Sequence, residues 1–179
     1  LYNSGTLIFL DAINNEIQSS YFLEDLNILS SLNLFDEFID APFEFKQHLY
    51  FIDKKGLISV FNPISSSILW EVDVNSTIND YLFRDNGHLF VLTNNKVLIF
   101  NEEGALIYEL IIDIEDPNLL LMNLDKLYIF NNRGINVFDL NSKAKENFIK
   151  LKFDGKATLI NTPSNIFIKD NKALYKISE

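Results

Sequence analysis

The stretch Gly56-Leu57-Ile58-Ser59-Val60-Phe61-Asn62-Pro63-Ile64-Ser65-Ser66-Ser67-Ile68-Leu69-Trp70 decides how this chain is read. An apolar segment ends at Phe61-Asn62, a polar loop follows, and a further strand runs from Ile68 to Val74. Upstream, His48-Leu49-Tyr50-Phe51-Ile52 is a compact strand separated from Gly56 by Asp53-Lys54-Lys55, residues that suit a hairpin turn because Asn, Asp and Gly tolerate positive φ. Pro42 to Phe45 adds one strand before it, so the unit holds four.

The unit recurs. His88-Leu89-Phe90-Val91-Leu92, Lys126-Leu127-Tyr128-Ile129-Phe130 and Asn165-Ile166-Phe167-Ile168 match His48–Ile52, and their aromatics fall 40, 38 and 39 residues apart. The second landmark, an apolar residue before Asx or Ser, recurs at Phe61-Asn62, Phe100-Asn101, Phe138-Asp139 and Ile177-Ser178, with spacings of 39, 38 and 39. Leu10-Asp11 fits the pattern one unit earlier. Breaks at Asn94-Asn95, Asn131-Asn132-Arg133-Gly134 and Asp170-Asn171 correspond to 53–56. Further strands are expected at Leu106 to Ile112 and Phe148 to Phe153, and before each aromatic segment at Ile78 to Phe83, Leu119 to Leu124 and Ala157 to Ile160. With Thr6 to Leu10 and Glu16 to Leu23 the total is seventeen.

Four short strands in roughly 39 residues is the size of one propeller blade. The segments therefore divide into a partial blade 1–23, a linker insert 24–41, blades 42–74, 78–113 and 118–153, and a partial blade 156–179. The expected fold class is all-β, a β-propeller, forming part of a larger ring of seven or eight blades, because an open ring leaves strand edges exposed. Composition agrees. Sixteen Phe, seven Tyr and 22 Ile stand against six Ala and one Met, a mix that favours pleated surfaces over helical repeats.

Gly5-Thr6-Leu7-Ile8-Phe9-Leu10-Asp11-Ala12 and Gly56–Trp70 resemble the PQQ-like propeller repeat, whose blades read Gly-x-Leu-x-Ala-Leu-Asp, a polar turn, then an apolar run ending in Trp. Departures are visible: the turn glycine is Ser66, and the Trp position is Ser19 in the first unit and falls near Tyr108 and Phe148 later. Among families with such repeats, the chain is most similar to the BamB-type lipoproteins of the outer-membrane β-barrel assembly machinery. That resemblance implies a non-catalytic scaffold on the periplasmic side of the outer membrane, touching protein partners through loops of one face. A lipidated Cys anchors such proteins. This chain has no Cys and opens at Leu1, so an anchor is expected upstream of Leu1 or not at all. The alternatives are a degenerate quinoprotein and a cytoplasmic WD-like adaptor.

Charge and residue types narrow the chemistry. A net charge of −10 makes nucleic acid a poor partner, since phosphates are neutralised by clustered cations. No apolar run approaches the roughly 20 residues of a membrane helix, so no direct membrane insertion is expected within this segment. The absence of Cys removes disulfides, thiolate metal sites and Cys nucleophiles. His48 and His88 share one phase, but their next equivalents are Lys126 and Asn165, so the position reads as polar rather than zinc-binding. Asp113-Ile114-Glu115-Asp116-Pro117-Asn118 lacks the glycine and spacing of a calcium loop and reads as a solvated turn. The residues that hold quinone and calcium in quinoproteins cannot be mapped here, and no cofactor or catalytic residue is expected.

Trp70, Phe61, Phe100 and Phe138 are expected to pack within and between blades, a large ring removing roughly 150–250 Å² from water. The candidate partner contacts lie in the insert, where Leu29, Leu32, Phe35 and Phe38 sit among the eighteen residues between Leu23 and Pro42. An apolar insertion on a loop is where a scaffold presents a partner-binding element; the other reading is that the insert tucks its apolar residues back over the ring.

Overall fold

The computed structural model describes residues 6–10, 17–22, 43–151, 158–162, 165–169 and 172–177. Contacts divide the chain into two compact units, Leu1–Ile78 and Asn79–Glu179. In the first, β1 (Thr6–Leu10) pairs with β2 (Ile17–Phe22), and β3 (Phe43–Phe45), β4 (His48–Ile52), β5 (Leu57–Asn62) and β6 (Ser67–Asp73) form a four-stranded antiparallel meander. In the second, β7 (Ile78–Phe83, its first residue closing the first unit), β8 (Leu89–Thr93), β9 (Lys96–Phe100) and β10 (Leu106–Ile111) form another. The next is β11 (Leu119–Asn123), β12 (Lys126–Asn131), β13 (Gly134–Asp139) and β14 (Ala144–Lys150). The last sheet holds β15 (Thr158–Thr162), β16 (Asn165–Lys169) and β17 (Leu174–Ile177).

The repeat is legible in the registers. Leu49, Leu89 and Leu127 stand directly opposite Phe61, Phe100 and Phe138, which are 0%, 3% and 4% exposed. The aromatic landmark sits mid-strand and anchors a row running across each sheet. Phe43, Tyr50, Val60 and Trp70 make one such row, Leu121, Tyr128, Val137 and Asn147 another. Phe90, Ile99 and Tyr108 repeat it in β8–β10. Cross-strand neighbours on one face are the unit of sheet stabilisation, so a fixed row enforces a fixed period.

Each outer strand carries a bulge at the same place. Leu69, Ile107 and Glu146 are the extra residues in β6, β10 and β14. A bulged residue is left out of the ladder and turns the strand. That accounts for two exposed aliphatics, Leu69 and Ile107.

The turn after each third strand is held by its Asx. Asn62 Oδ1 accepts from the Ile64 and Ser65 amides, Asn101 Oδ1 from Glu103 and Ala105, and Asp139 Oδ1 from Ser142. Such a side chain mimics a backbone turn. In each of these loops one residue takes a left-handed conformation: Ser66 (φ 53°), Gly104 (φ 77°) and Lys143 (φ 58°).

Strand limits fall within two residues of expectation, with one correction. The strand expected from Phe148 to Phe153 is β14, Ala144–Lys150, and its residue equivalent to Trp70 is Asn147 rather than Phe148. The strand is outermost and exposed along nearly its whole length, so it shows no apolar pattern, and its bulge shifts the phase by one.

Within the second unit the sheets pack face to face. Phe90, Leu92, Val97, Ile99 and Leu110 bury against Leu120, Met122, Leu127, Ile129 and Phe138. On the opposite face of β11–β14, Tyr128, Phe130, Ile135 and Val137 bury with Ile166 and Ile168. Alternation along each strand sends successive side chains to these two faces.

Candidate functional site

Antiparallel order places the turns of each blade at two ends. One end carries the turns between second and third strands together with the connection leading out of the blade. The other carries the first–second and third–fourth turns.

At the first end, backbone bonds clamp the exit segment onto the hairpin turn. Val74 N donates to Gly56 O (2.9 Å) and Ile112 N to Asn95 O (2.9 Å), the acceptors 39 and the donors 38 residues apart in the period. Ile78 N also donates to Lys54 O. Gly56 (φ 121°) has no room for a side chain, because a Cβ there would lie 2.7 Å from Ser76 O.

Polar side chains here are committed to the backbone. Asp53, 2% exposed, accepts from the Lys55 amide; Asn131, 7% exposed, donates to Glu115 O and accepts from Arg133 and Gly134. Asn79 donates to Pro117 O and to Asn94 Oδ1, and the Leu120 amide donates to Asp80. The acidic stretch 113–118 is thus an inter-blade connection pinned at Glu115 and Pro117. An ion pair from Arg133 to Glu115 at 2.6 Å is exposed on both sides and contributes little.

The opposite end presents apolar side chains to solvent. Ile64 is 77% exposed in its Asx-held turn, and Leu124 is 66% exposed with φ 51°. His88 belongs to a turn here, its amide bonded to Asn86 Oδ1 and its Nδ1 3.2 Å from Asn86 Nδ2. His48 opens β4 opposite Phe45. Lys126, at the same phase, pairs with Glu146 at 3.2 Å. Among the described residues no group of three or more His, Cys, Asp or Glu side chains is placed to hold a metal ion. Hydrogen bonds from the Ser142 backbone and hydroxyl hold the Asp139 carboxyl below its ordinary range, assisted by the Asn141 amide and by the charge of Lys126.

Phe61, Phe100 and Phe138 lie in the sheet cores. Trp70 is half-buried on β6. Leu29, Leu32, Phe35 and Phe38, with the whole insert 24–41, lie outside the described residues. The chain re-enters at Phe43, which pairs with Tyr50 near the Asp53–Gly56 end of the sheet.

Sequence reasoning missed a cleft of about 160 Å³ between β12–β14 and β17, lined by Lys126, Tyr128, Val137, Glu146, Asn147, Ile149 and Ile177. No local signal in the sequence marks it, because its lining is drawn from four strands.

No family model matches the sequence. An uncharacterized protein of Rickettsia conorii is 25% identical over 152 residues, covering 78% of this chain and 36% of that protein. The chain thus spans about a third of the length of the curated relative it matches. Among solved structures, BamB from Moraxella catarrhalis superposes with a TM-score of 0.61 at 16% identity, over 76% of this chain and 44% of that one. Sqt1 of Saccharomyces cerevisiae gives 0.66 at 10% identity, over 99% of this chain and 54% of that one. With its repeated four-stranded antiparallel sheets, the chain has the β-propeller fold.

Proposed function

We propose that this chain is a non-catalytic scaffold that binds protein partners through its blade-end loops, on the periplasmic side of the outer membrane and in the assembly of outer-membrane proteins. The observation that carries the scaffold reading is the division of labour at the blade ends. Polar loop side chains are taken up in holding carbonyls and amides, while Ile64 and Leu124 stand in solvent on turns fixed by the sheet. Rigidly presented apolar side chains suit partner contact better than bond-making chemistry. The outer-membrane setting rests on the resemblance of Gly5–Ala12 and Gly56–Trp70 to the PQQ-like repeats of BamB-type lipoproteins, and the likeness to BamB supports it at the level of fold.

The test is co-purification from the native cell, with and without residues 26–38. Loss of specific partners from a still-folded deletion variant is the expected result. A deletion that alters neither partners nor folding defeats the loop-scaffold reading. Adding PQQ and calcium is expected to leave the melting temperature unchanged; a saturable upward shift would replace this reading by a quinoprotein one.

A further inference from the structure

The sheet β7–β10 is a blade with all four strands, and among the described residues nothing pairs with β10 on the side away from β9. The ladder decides which backbone groups face that side. Ile112 N donates to Asn95 O, continuing the register that sets Ile111 opposite Lys96. Hydrogen-bonded and non-bonded pairs alternate along an antiparallel ladder. Leu110 therefore turns its amide and carbonyl toward β9, while Glu109 and Ile111 turn theirs outward. The bulge at Ile107 falls at the start of the strand and leaves Tyr108–Ile111 in regular register.

The side chains of this strand differ from those of its counterparts. β6 exposes Glu71 and Asp73, and β14 exposes Lys145 and Lys150. Charges on an edge discourage a further strand. β10 instead exposes Leu106 (50%), Ile107 (50%) and Ile111 (68%), and its one charged residue, Glu109, is held by Lys96 at 3.4 Å. An open apolar edge of this kind is one that an extended segment can join.

Charge says which kind of segment. Residues 97–125 hold seven acids and no Lys or Arg. Glu103 stands exposed ahead of β10, and Asp113, Glu115 and Asp116 stand exposed beyond it. The neighbouring sheet answers part of this charge: Arg133 pairs with Glu115, and Lys143 lies over the Tyr108 ring, 3.9 Å from its centroid. Among the described residues Glu103 and Asp113 form no ion pair, so an acid remains at each end of the strand.

We propose that the open edge of β10 is a docking edge for an extended segment of a protein partner, apolar in its middle and basic at both ends. The segment adds as a fifth strand and bonds to the outward amides and carbonyls of Glu109 and Ile111. Its middle side chains extend the apolar surface at Ile107 and Ile111, and its terminal lysines or arginines meet Glu103 and Asp113. The inference rests on the scaffold reading but uses a blade flank rather than the blade-end loops, so each stands or falls by its own experiment.

The experiment uses the full chain and a fluorescein-labelled nonapeptide of Val and Thr flanked by paired lysines, followed by anisotropy and by residue-resolved hydrogen exchange. Saturable binding is expected, with new protection of the Glu109 and Ile111 amides; those of Leu110 and Ile112 are protected already. Ile111→Lys and Asp113→Lys are each expected to weaken binding about tenfold, by setting like charges together. Both residues are exposed, and melting curves check that the variants fold. The same peptide with a central Pro, and one with Glu in place of Lys, are expected not to bind. Equal binding of the Pro peptide overturns the proposal by marking mere attraction of a polycation, and equal binding to Ile111→Lys overturns it as well. So does protection of the Glu109 and Ile111 amides before peptide is added, because the edge is then already occupied. Deleting residues 26–38 is expected to leave peptide binding unchanged; its loss would assign the site to the insert instead. Absence of any binding removes the docking edge and leaves the loop reading to its own test.

Discussion

Trp70 meets Tyr50 edge to face across the intervening β5, ring centroids 6.0 Å apart and planes at 77°. Tyr50 in turn stacks on Phe43 at 4.9 Å and 12°. With Val60 between Tyr50 and Trp70, one transverse row ties four strands together. The half-buried indole is expected to matter for stability more than for any chemistry. Trp70→Ala should destabilise the fold by about 2–3 kcal/mol, less than for a fully buried ring. A double-mutant cycle with Tyr50→Leu should return a coupling of about 0.5–1.5 kcal/mol, measured by urea unfolding. Strict additivity would show that the rings merely adjoin.

Asn136 lies in the core at 4% exposure, between Ile129 and Phe148 in register, and its side chain makes no hydrogen bond among the described residues. At the equivalent place in β5, Ser59 Oγ donates to Glu71 Oε2 at 2.9 Å; in β9 the residue is Leu98. An orphaned buried amide costs about 1–3 kcal/mol. Asn136→Leu is therefore expected to raise the urea midpoint by an amount worth about 1–2 kcal/mol, with the slope unchanged. A lower midpoint would mean that the amide has a partner.

Two turn positions should respond in opposite senses. Ser66 holds φ 53° where the neighbouring repeat has Gly104, so Ser66→Gly relieves strain and should add about 0.5–1 kcal/mol. Gly56→Ala meets Ser76 O and a φ of 121°, and should cost about 2–3 kcal/mol. Thermal melts of the two variants decide both.

Asp139 supplies a pH signature. Its folded pKa lies below its unfolded value because of the Ser142 bonds, so its contribution is complete above the ordinary carboxylate range. That contribution is lost as pH falls from there through the depressed folded value. Carboxyl NMR should give a midpoint for Asp139 below that of an exposed aspartate, with the Ser142 amide shift following the same curve. Asp139→Asn should flatten the acid side of the stability profile; an unaltered profile would refute the linkage.

How much of this was legible follows burial. Phe61, Phe100 and Phe138 announce their phase because each is opposite a leucine in a closed core, where only an apolar residue fits. Outer strands face water, so Ala144-Lys145-Glu146-Asn147 carries no apolar rhythm and falls ahead of the strand expected from Phe148. The bulges at Leu69, Ile107 and Glu146 left no mark either, being changes of backbone count rather than of residue type. The cleft beside β17 needs residues from β12, β13, β14 and β17 together, and no local pattern brings those into view.

The clamps at Gly56 O and Asn95 O join main chain to main chain. A handover built that way asks almost nothing of the side chains riding on it, apart from a glycine where the chains cross closely. A solvent-facing position such as Thr77 can therefore be rewritten while each sheet keeps its own strand register. Such a frame tolerates a change of connector without a change of sheet.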